Sequence, residues 1–346
     1  VGCGVRARAD GTISGDPDHP ANFGRLCSKG SALGETISLD GRLLSPRVHG
    51  VDSDWDSTLD LVARKFTEAI AEHGPDSVAF YVSGQLLTED YYVANKLMKG
   101  FIGSANIDTN SRLCMASSVA GHRRAFGTDT VPGQYEDFEN ADLVVLVGSN
   151  LAWCHPVLFQ RLSAAKEARP GMKVVLVDPR RTATASIADL HLAVRHDGDS
   201  ALFNALLAEI ARRGLVDTDF TAAHVDGLAA ALTSAAASDP LESGLSRDEI
   251  DAFIELFCST EKVVTLYSQG VNQSAHGTDK VNAIINCHLA TGRIGREGMG
   301  PFSMTGQPNA MGGREVGGLA NMLACHMALE NPAHRSAVRT FWNAPQ

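Results

Sequence analysis

The chain has 346 residues, 44% of them hydrophobic and 20% charged, and a formal net charge of −10. That length suggests two or three domains and a chain that buries a sizeable core without staples. The composition excludes collagen and a disordered chain, and the acidic balance argues against a broad nucleic-acid surface.

The first 50 residues are rich in Gly, Asp and Arg and lack long periodicity. Cys3 and Cys27 bracket much of this stretch, which reads as a small irregular domain needing more than a core. A helix capped by Asp56 or Ser57 is predicted, with Leu59, Val62, Ala63, Phe66, Ala69 and Ile70 at helical spacing, up to Gly74-Pro75. Ser77 to Val82 reads as a buried strand and Thr88 to Phe101 as a helix. Downstream, strands over Asp142–Val147, Lys173–Val177 and Lys262–Tyr267 alternate with helices over Val157–Ala168, Ser200–Arg213 and Thr278–Leu289. Continuous Val/Leu strands separated by helices imply parallel sheets covered on both faces. No apolar run reaches the roughly 20 residues of a membrane span.

Four of these strands end alike. Val82 runs into Ser-Gly-Gln85, Val147 into Gly148-Ser149-Asn150, Val177 into Asp178-Pro-Arg180-Arg, and Tyr267 into Ser-Gln269-Gly-Val-Asn-Gln273. Small and amide residues at the carboxyl ends of parallel strands mark ligand sites in doubly wound folds. Four together suggest one large ligand, although plain turn chemistry produces similar residues. No GxGxxG or Walker loop is present, so an ordinary NAD or ATP site has no support.

Cys114 stands between a loop, Asn-Ile-Asp-Thr-Asn110-Ser, and a helix-forming stretch, Ala-Ser-Ser-Val-Ala-Gly. A cysteine at such a junction can be a nucleophile or a soft-metal ligand, or simply a buried thiol. Seven cysteines, an odd number with no CxxC, argue for free thiols and a cytoplasmic setting. Thr291 to Gly318 carries nine glycines in 28 residues, interspersed with Arg, Gln, Asn and Met. This composition is expected to form no packed core and to lie as backbone close against a ligand.

Four segments together resemble the molybdopterin-dependent oxidoreductases of the dimethyl sulfoxide reductase superfamily. They are Gly2-Cys3-Gly4 with Cys27-Ser-Lys29-Gly30, the Cys114 segment, Val177-Asp178-Pro-Arg180-Arg-Thr182, and the glycine-rich stretch. Within that superfamily, Asn110-Ser-Arg-Leu-Cys114-Met115 and Thr305-Gly-Gln-Pro-Asn-Ala310 with Gly313-Arg314-Glu-Val-Gly317 are similar to the prokaryotic assimilatory nitrate reductase catalytic subunits.

The resemblance implies an α/β fold: a small, truncated iron–sulfur N-terminal domain plus two α/β domains with mainly parallel sheets. Residues 1–50 would be part of a [4Fe–4S] domain. Residues 51–140 and 292–346 would form a discontinuous molybdopterin domain, and 141–291 a Rossmann-like cofactor-binding domain. It implies that Cys114 ligates molybdenum of a bis(molybdopterin guanine dinucleotide), that Met115 disfavours formate, and that Arg314 faces the metal and attracts nitrate. Gln269 joins this catalytic set. Gln85, Asn110, Gly148, Ser149, Asn150, Asp178, Arg180, Gly198, Asp199, Gln269 and Gln273 would hold the cofactor. Cys154 would line a turn, and Cys258, Cys287 and Cys325 would belong to the core. Cys3 and Cys27 would be two ligands of a [4Fe–4S] cluster beside Lys29, the others lying before Val1, so that Val1 reads as a cut end. The implied reaction is reduction of nitrate to nitrite, with electrons from ferredoxin, flavodoxin or an NADH-linked partner, in the cytoplasm. A formate dehydrogenase or other molybdopterin oxidoreductase is the alternative of the same class. A molybdenum-free electron-transfer subunit is the other, but it would need neither Cys114 nor Arg314.

Overall fold

The structure, a computed structural model, describes residues 2–317 and 320–345. Val1 and Gly318 of the sequence reading lie outside the described residues. The chain opens with two small antiparallel pairs, β1 (Val5–Ala7) with β2 (Ile13–Gly15) and β3 (Arg47–Val48) with β4 (Val51–Asp52). Helix α1 (Trp55–His73) follows. Its cap is Asp54, two or three residues before the expected Asp56 or Ser57, and accepts from the Ser57 amide at 2.7 Å.

The buried strand expected over Ser77–Val82 is shorter and more open. β5 (Phe80–Val82) pairs in parallel with β6 (Ile107–Thr109) alone, and Tyr81 is 76% exposed. Phe66 and Ile70 of α1 cover one face beside Phe80, but among the described residues no further strand joins this pair. Between the two strands run α2 (Thr88–Asn95) and a π-helical turn, Lys96–Ile102. Helix α3 (Ser111–Phe126) leads into the larger sheet.

That sheet has five parallel strands: β7 (Leu143–Val147), β8 (Lys173–Val177), β9 (Leu190–Leu192), β10 (Val263–Tyr267) and β11 (Gly300–Ser303). Their order is β11-β10-β7-β8-β9. Alternation sends Leu143, Val145 and Val147 to one face and Val144 and Leu146 to the other, so both faces are apolar and both are covered. Helices α5 (Asp199–Arg212), α6 (Arg247–Ser259) and α7 (Gly277–Ala290) pack the first face, and α4 (Pro156–Ala168) packs the second.

Two expectations change here. The glycine-rich stretch is not coreless: Gly300–Ser303 is a fully buried edge strand paired with β10 in register Val264 to Gly300. Glycine 300, with φ +116°, admits the backbone at the strand's start. The boundary expected between residues 291 and 292 therefore leaves out one strand of the larger sheet. Cys325, expected in the core, is exposed, whereas Cys287 is fully buried and Cys258 packs against the same cluster. All seven cysteines are free thiols.

Candidate functional site

Chain order reverses between β7 and β10, where the sheet runs to β8 and β9 on one side and back to β10 and β11 on the other. Such a switch point opens a crevice at the carboxyl ends of the strands. The backbones that follow β7 and β10 meet there: a Cβ on Gly148 would come within 2.7 Å of Gly270 Cα. A cavity of about 570 Å³ opens over this contact. It is lined by Gly148 and Asn150 after β7, Asp178 and Arg180 after β8, Asp199 at the head of α5, and Gln269 and Gln273 after β10. Seven of the expected cofactor residues are thus brought together. Ser149 is buried beside them, and Gly198 packs against Ser243 next to Asp199. A larger cavity of about 1040 Å³ lies between α5, α7 and the end of α3, and none of the expected residues lines it.

The polar walls of the crevice are prearranged. Asp178 Oδ1 accepts from the Arg180 amide at 2.8 Å. Lys280 of α7 is 3% exposed and reaches Asp197 and Asp199 at 2.8 and 2.9 Å. Among the described residues, Ser149 Oγ, His155 Nδ1, Thr182 Oγ1, Asn272 Oδ1 and Gln307 Oε1 are buried without a hydrogen-bond partner. Of these residues His155 lines the crevice, and a buried polar atom left unpaired is costly unless a polar ligand meets it. The residues present fit a large, hydrogen-bonding cofactor.

Cys114 is placed differently from expectation within its helix. Helix α3 begins at Ser111, so the Cys114 amide is already bonded to the Asn110 carbonyl at 3.2 Å and offers no free N–H. What faces the sulfur is a side chain. Gln269 Nε2 donates to Cys114 Sγ at 2.6 Å, and Gln269 Oε1 accepts from Asn272 Nδ2 at 3.2 Å. Gln273 Nε2 donates to the carbonyls of Leu113 and Cys114 at 3.1 and 3.2 Å. Met115 Sδ lies 3.5 Å from Asn272 Nδ2, and Ser117 Oγ donates to the Asn272 carbonyl at 2.8 Å. The short helix Gln269–Asn272 therefore locks the head of α3 onto the crevice. Asn272 was not singled out from sequence, although it lies in the same amide-rich turn.

Asn110 and Gln85 form a second group. Asn110 Oδ1 accepts from the Gly84 amide at 2.7 Å, while Gln85 is exposed in the adjoining turn. Asn309 of the glycine-rich stretch closes on that turn, donating from Nδ2 to the Leu86 carbonyl at 2.7 Å.

Arg314 is not a free cation. It is buried and ion-paired with Asp129, a residue that carried no signal in the sequence. The pair lines a small cavity of about 140 Å³ with Arg112, Arg123 and Asn321. Burial, together with the neighbouring Arg112 and Arg123 charges, pushes the Arg314 guanidinium down to about 10.

Cys3 lies within electrostatic reach of Cys27, whose charge penalises the Cys3 thiolate. Burial pushes the Cys3 thiol up. The Gly30 amide, with the amide and charge of Lys29, pulls the Cys27 thiol down. Lys29 itself is exposed.

Family comparison agrees with this geometry. The molybdopterin oxidoreductase model matches residues 42–342, and the molybdopterin oxidoreductase Fe4S4 domain model matches residues 1–39. The chain belongs to the molybdopterin oxidoreductase family. It is 57% identical over 353 residues to a nitrate reductase of Klebsiella oxytoca and 50% identical over 360 residues to one of Shewanella frigidimarina. Each match covers 99% of this chain, which spans 40% and 38% of those proteins. A periplasmic nitrate reductase of Desulfovibrio desulfuricans is 38% identical over 370 residues, covering all of this chain and 49% of that protein. Acetylene hydratase from Pelobacter acetylenicus superposes with a TM-score of 0.71 at 23% identity, over 83% of this chain and 41% of that one, a likeness of fold. Among the described residues no helix is long and apolar enough to cross a membrane.

Proposed function

We propose that this chain forms the molybdenum-binding part of an enzyme that reduces nitrate to nitrite. The observation that carries the reading is the Gln269–Cys114 contact at 2.6 Å, which ties a thiol at the head of a helix to the crevice. The nitrate reductases matched over nearly the whole chain support the choice of substrate. Cys114 would ligate the metal through its thiolate, and the Gln269 amide would donate to that sulfur and fix its direction. Bound as a bis(molybdopterin guanine dinucleotide), molybdenum supplies two-electron oxygen-atom transfer. Gly148, Ser149, Asn150, Asp178, Arg180, Gly198, Asp199, Gln269 and Gln273 would hold one dinucleotide arm. Gln85 and Asn110 would serve the other end of the site.

Nitrate is a planar anion that a guanidinium binds bidentately. Asp129 offsets the Arg314 charge and Asp108, at 3.0 Å, that of Arg112, so attraction would come from the net charge of Arg112, Arg123 and Arg314 acting together. Met115, held beside Asn272, would shape the metal's surroundings. Electrons would arrive through a [4Fe–4S] cluster for which Cys3 and Cys27 supply two ligands, with Lys29 beside it. The donor would be a ferredoxin, a flavodoxin or an NADH-linked protein. The assimilatory-type motifs around Cys114 and Arg314 favour a cytoplasmic setting.

The test uses the full-length protein. Reduced viologen is supplied with nitrate, formate or arsenate in turn, and molybdenum content is determined. Nitrate turnover with stoichiometric molybdenum is expected; turnover of formate with none of nitrate would overturn the assignment.

A further inference from the structure

Among the described residues the largest fully buried side chain is a charged one, Arg161 of α4, at 2% exposure. Its five N–H groups are all used. Nε donates to Glu139 Oε1 at 2.7 Å, and Nη2 donates to Glu139 Oε2 at 2.9 Å and Glu136 Oε1 at 3.5 Å. Nη1 donates to the carbonyls of Pro20 and Ala21 at 2.9 and 3.1 Å. The guanidinium also stands 4.9 Å from the Phe23 ring centroid and 5.9 Å from that of Tyr135.

These partners come from two parts of the chain. Glu136, Glu139 and Tyr135 belong to the body that carries the five-stranded sheet. Pro20, Ala21 and Phe23 belong to the loop between Cys3 and Cys27. The residue before Arg161 repeats the pattern: Gln160 Nε2 donates to the Leu26 carbonyl at 3.2 Å, immediately before Cys27. Within the loop, Asn22 bonds Gly4 in both directions, at 2.8 and 3.0 Å, and the Arg25 carbonyl at 2.9 Å. The two cysteines are therefore linked to each other through Asn22 and to the body through Arg161 and Gln160.

A buried charge is a poor source of stability, since an apolar side chain of similar volume often does as well. It does impose geometry. A guanidinium presents a rigid fork that fits one carboxylate and two carbonyls at once, which the single ammonium of lysine cannot match.

We propose that Arg161, assisted by Gln160, is an interdomain clamp that fixes the cluster-bearing loop in one position against the cofactor-binding body. It is a positioning residue for electron delivery. This rests on the reading that electrons reach the crevice through the cluster.

The test compares full-length holoprotein with Arg161→Met, Arg161→Lys and Gln160→Leu. Three quantities are read: hydrogen exchange of residues 15–31, the midpoint potential and paramagnetic resonance signal of the cluster, and kcat and KM for nitrate. Arg161→Met is expected to speed exchange in that segment roughly tenfold or more, the scale of losing hydrogen bonds to a charged group. It should also shift the cluster potential and lower kcat with KM unchanged. Arg161→Lys should restore part of each effect. Exposed Gln160, whose loss leaves the buried ion pair intact, should speed exchange near Leu26 by a smaller factor. Parent-like exchange and cluster potential in Arg161→Met would overturn the clamp. If that variant does not fold, parent-like exchange near Leu26 in Gln160→Leu would overturn it instead. A parent without nitrate turnover, together with these exchange and potential changes, would sink the nitrate reading and uphold the clamp.

Discussion

Residues 2–77 and the five-stranded body are held together in different ways. In the first stretch the only buried residue is Asn22, and α1 leaves Trp55, Leu59 and Val62 substantially exposed. In the body, β7 and β10 are buried along their entire lengths and both sheet faces are apolar. The body therefore gains its stability by removing hydrocarbon from water. The N-terminal stretch relies on hydrogen bonds from side chains to backbone, on Arg161, and on whatever its cysteines bind. A scaffold of the first kind can present ligand-binding turns rigidly. A region of the second kind keeps its shape only while its polar contacts hold.

The largest expected effect belongs to the junction of the two sheets. Cys114→Ala in the full-length protein should abolish nitrate reduction while leaving circular dichroism unchanged, because the thiol is half-buried and its side-chain partner is the Gln269 amide. Activity surviving with molybdenum bound would show that this helix head is not where the chemistry sits.

Next comes the body itself. Leu146→Ala empties a fully buried site between β8 and β10 and should cost about 2–5 kcal/mol, read from the denaturant midpoint. Asn22→Ala should cost less, about 1–3 kcal/mol, and only locally. Faster hydrogen exchange in residues 3–27 with an unchanged global midpoint is the expected result. A global loss as large as that of Leu146→Ala would erase the contrast between the two regions.

The smallest effect concerns Lys99 on the π-helical turn. Its ammonium reaches the carbonyls of Gly317 and Met322 at 2.5 and 2.6 Å and Asn95 Oδ1 at 2.9 Å. Burial pushes it down to about 7. Between that value and the ordinary lysine value of about 10.4, the unfolded chain binds a proton that the folded chain does not. This group's contribution to stability therefore rises with pH across that window. Denaturation midpoints at pH 7 and pH 9 should show the rise in the parent and a flatter response in Lys99→Met. Equal slopes would mean that the lysine titrates as if exposed.

Much of the body was legible in the sequence. Leu-Val-Val-Leu-Val and Lys-Val-Val-Leu-Val admit few readings other than doubly covered strands, and the turns after them carry the cofactor-type residues. The β5 strand was read as buried because Val78-Ala-Phe-Tyr-Val is as apolar as its counterparts. Whether a neighbouring strand completes a sheet is a long-range fact that local pattern does not contain. The buried strand at Gly300–Ser303 was hidden for the opposite reason: Gly-Pro-Phe-Ser has weak strand propensity and is held by its pairing with β10. Asp129 and Arg161 were illegible because each acts through a partner distant in sequence: Arg314 in one case, and Glu139 with the Pro20 and Ala21 carbonyls in the other.

The most direct test of the central claim is X-ray absorption at the molybdenum edge of the full-length protein, parent against Cys114→Ser. The sulfur at the head of α3 is expected to be a metal neighbour, so the variant should lose one sulfur scatterer and gain an oxygen. An identical sulfur shell in the two proteins would contradict the placement of the metal at Cys114.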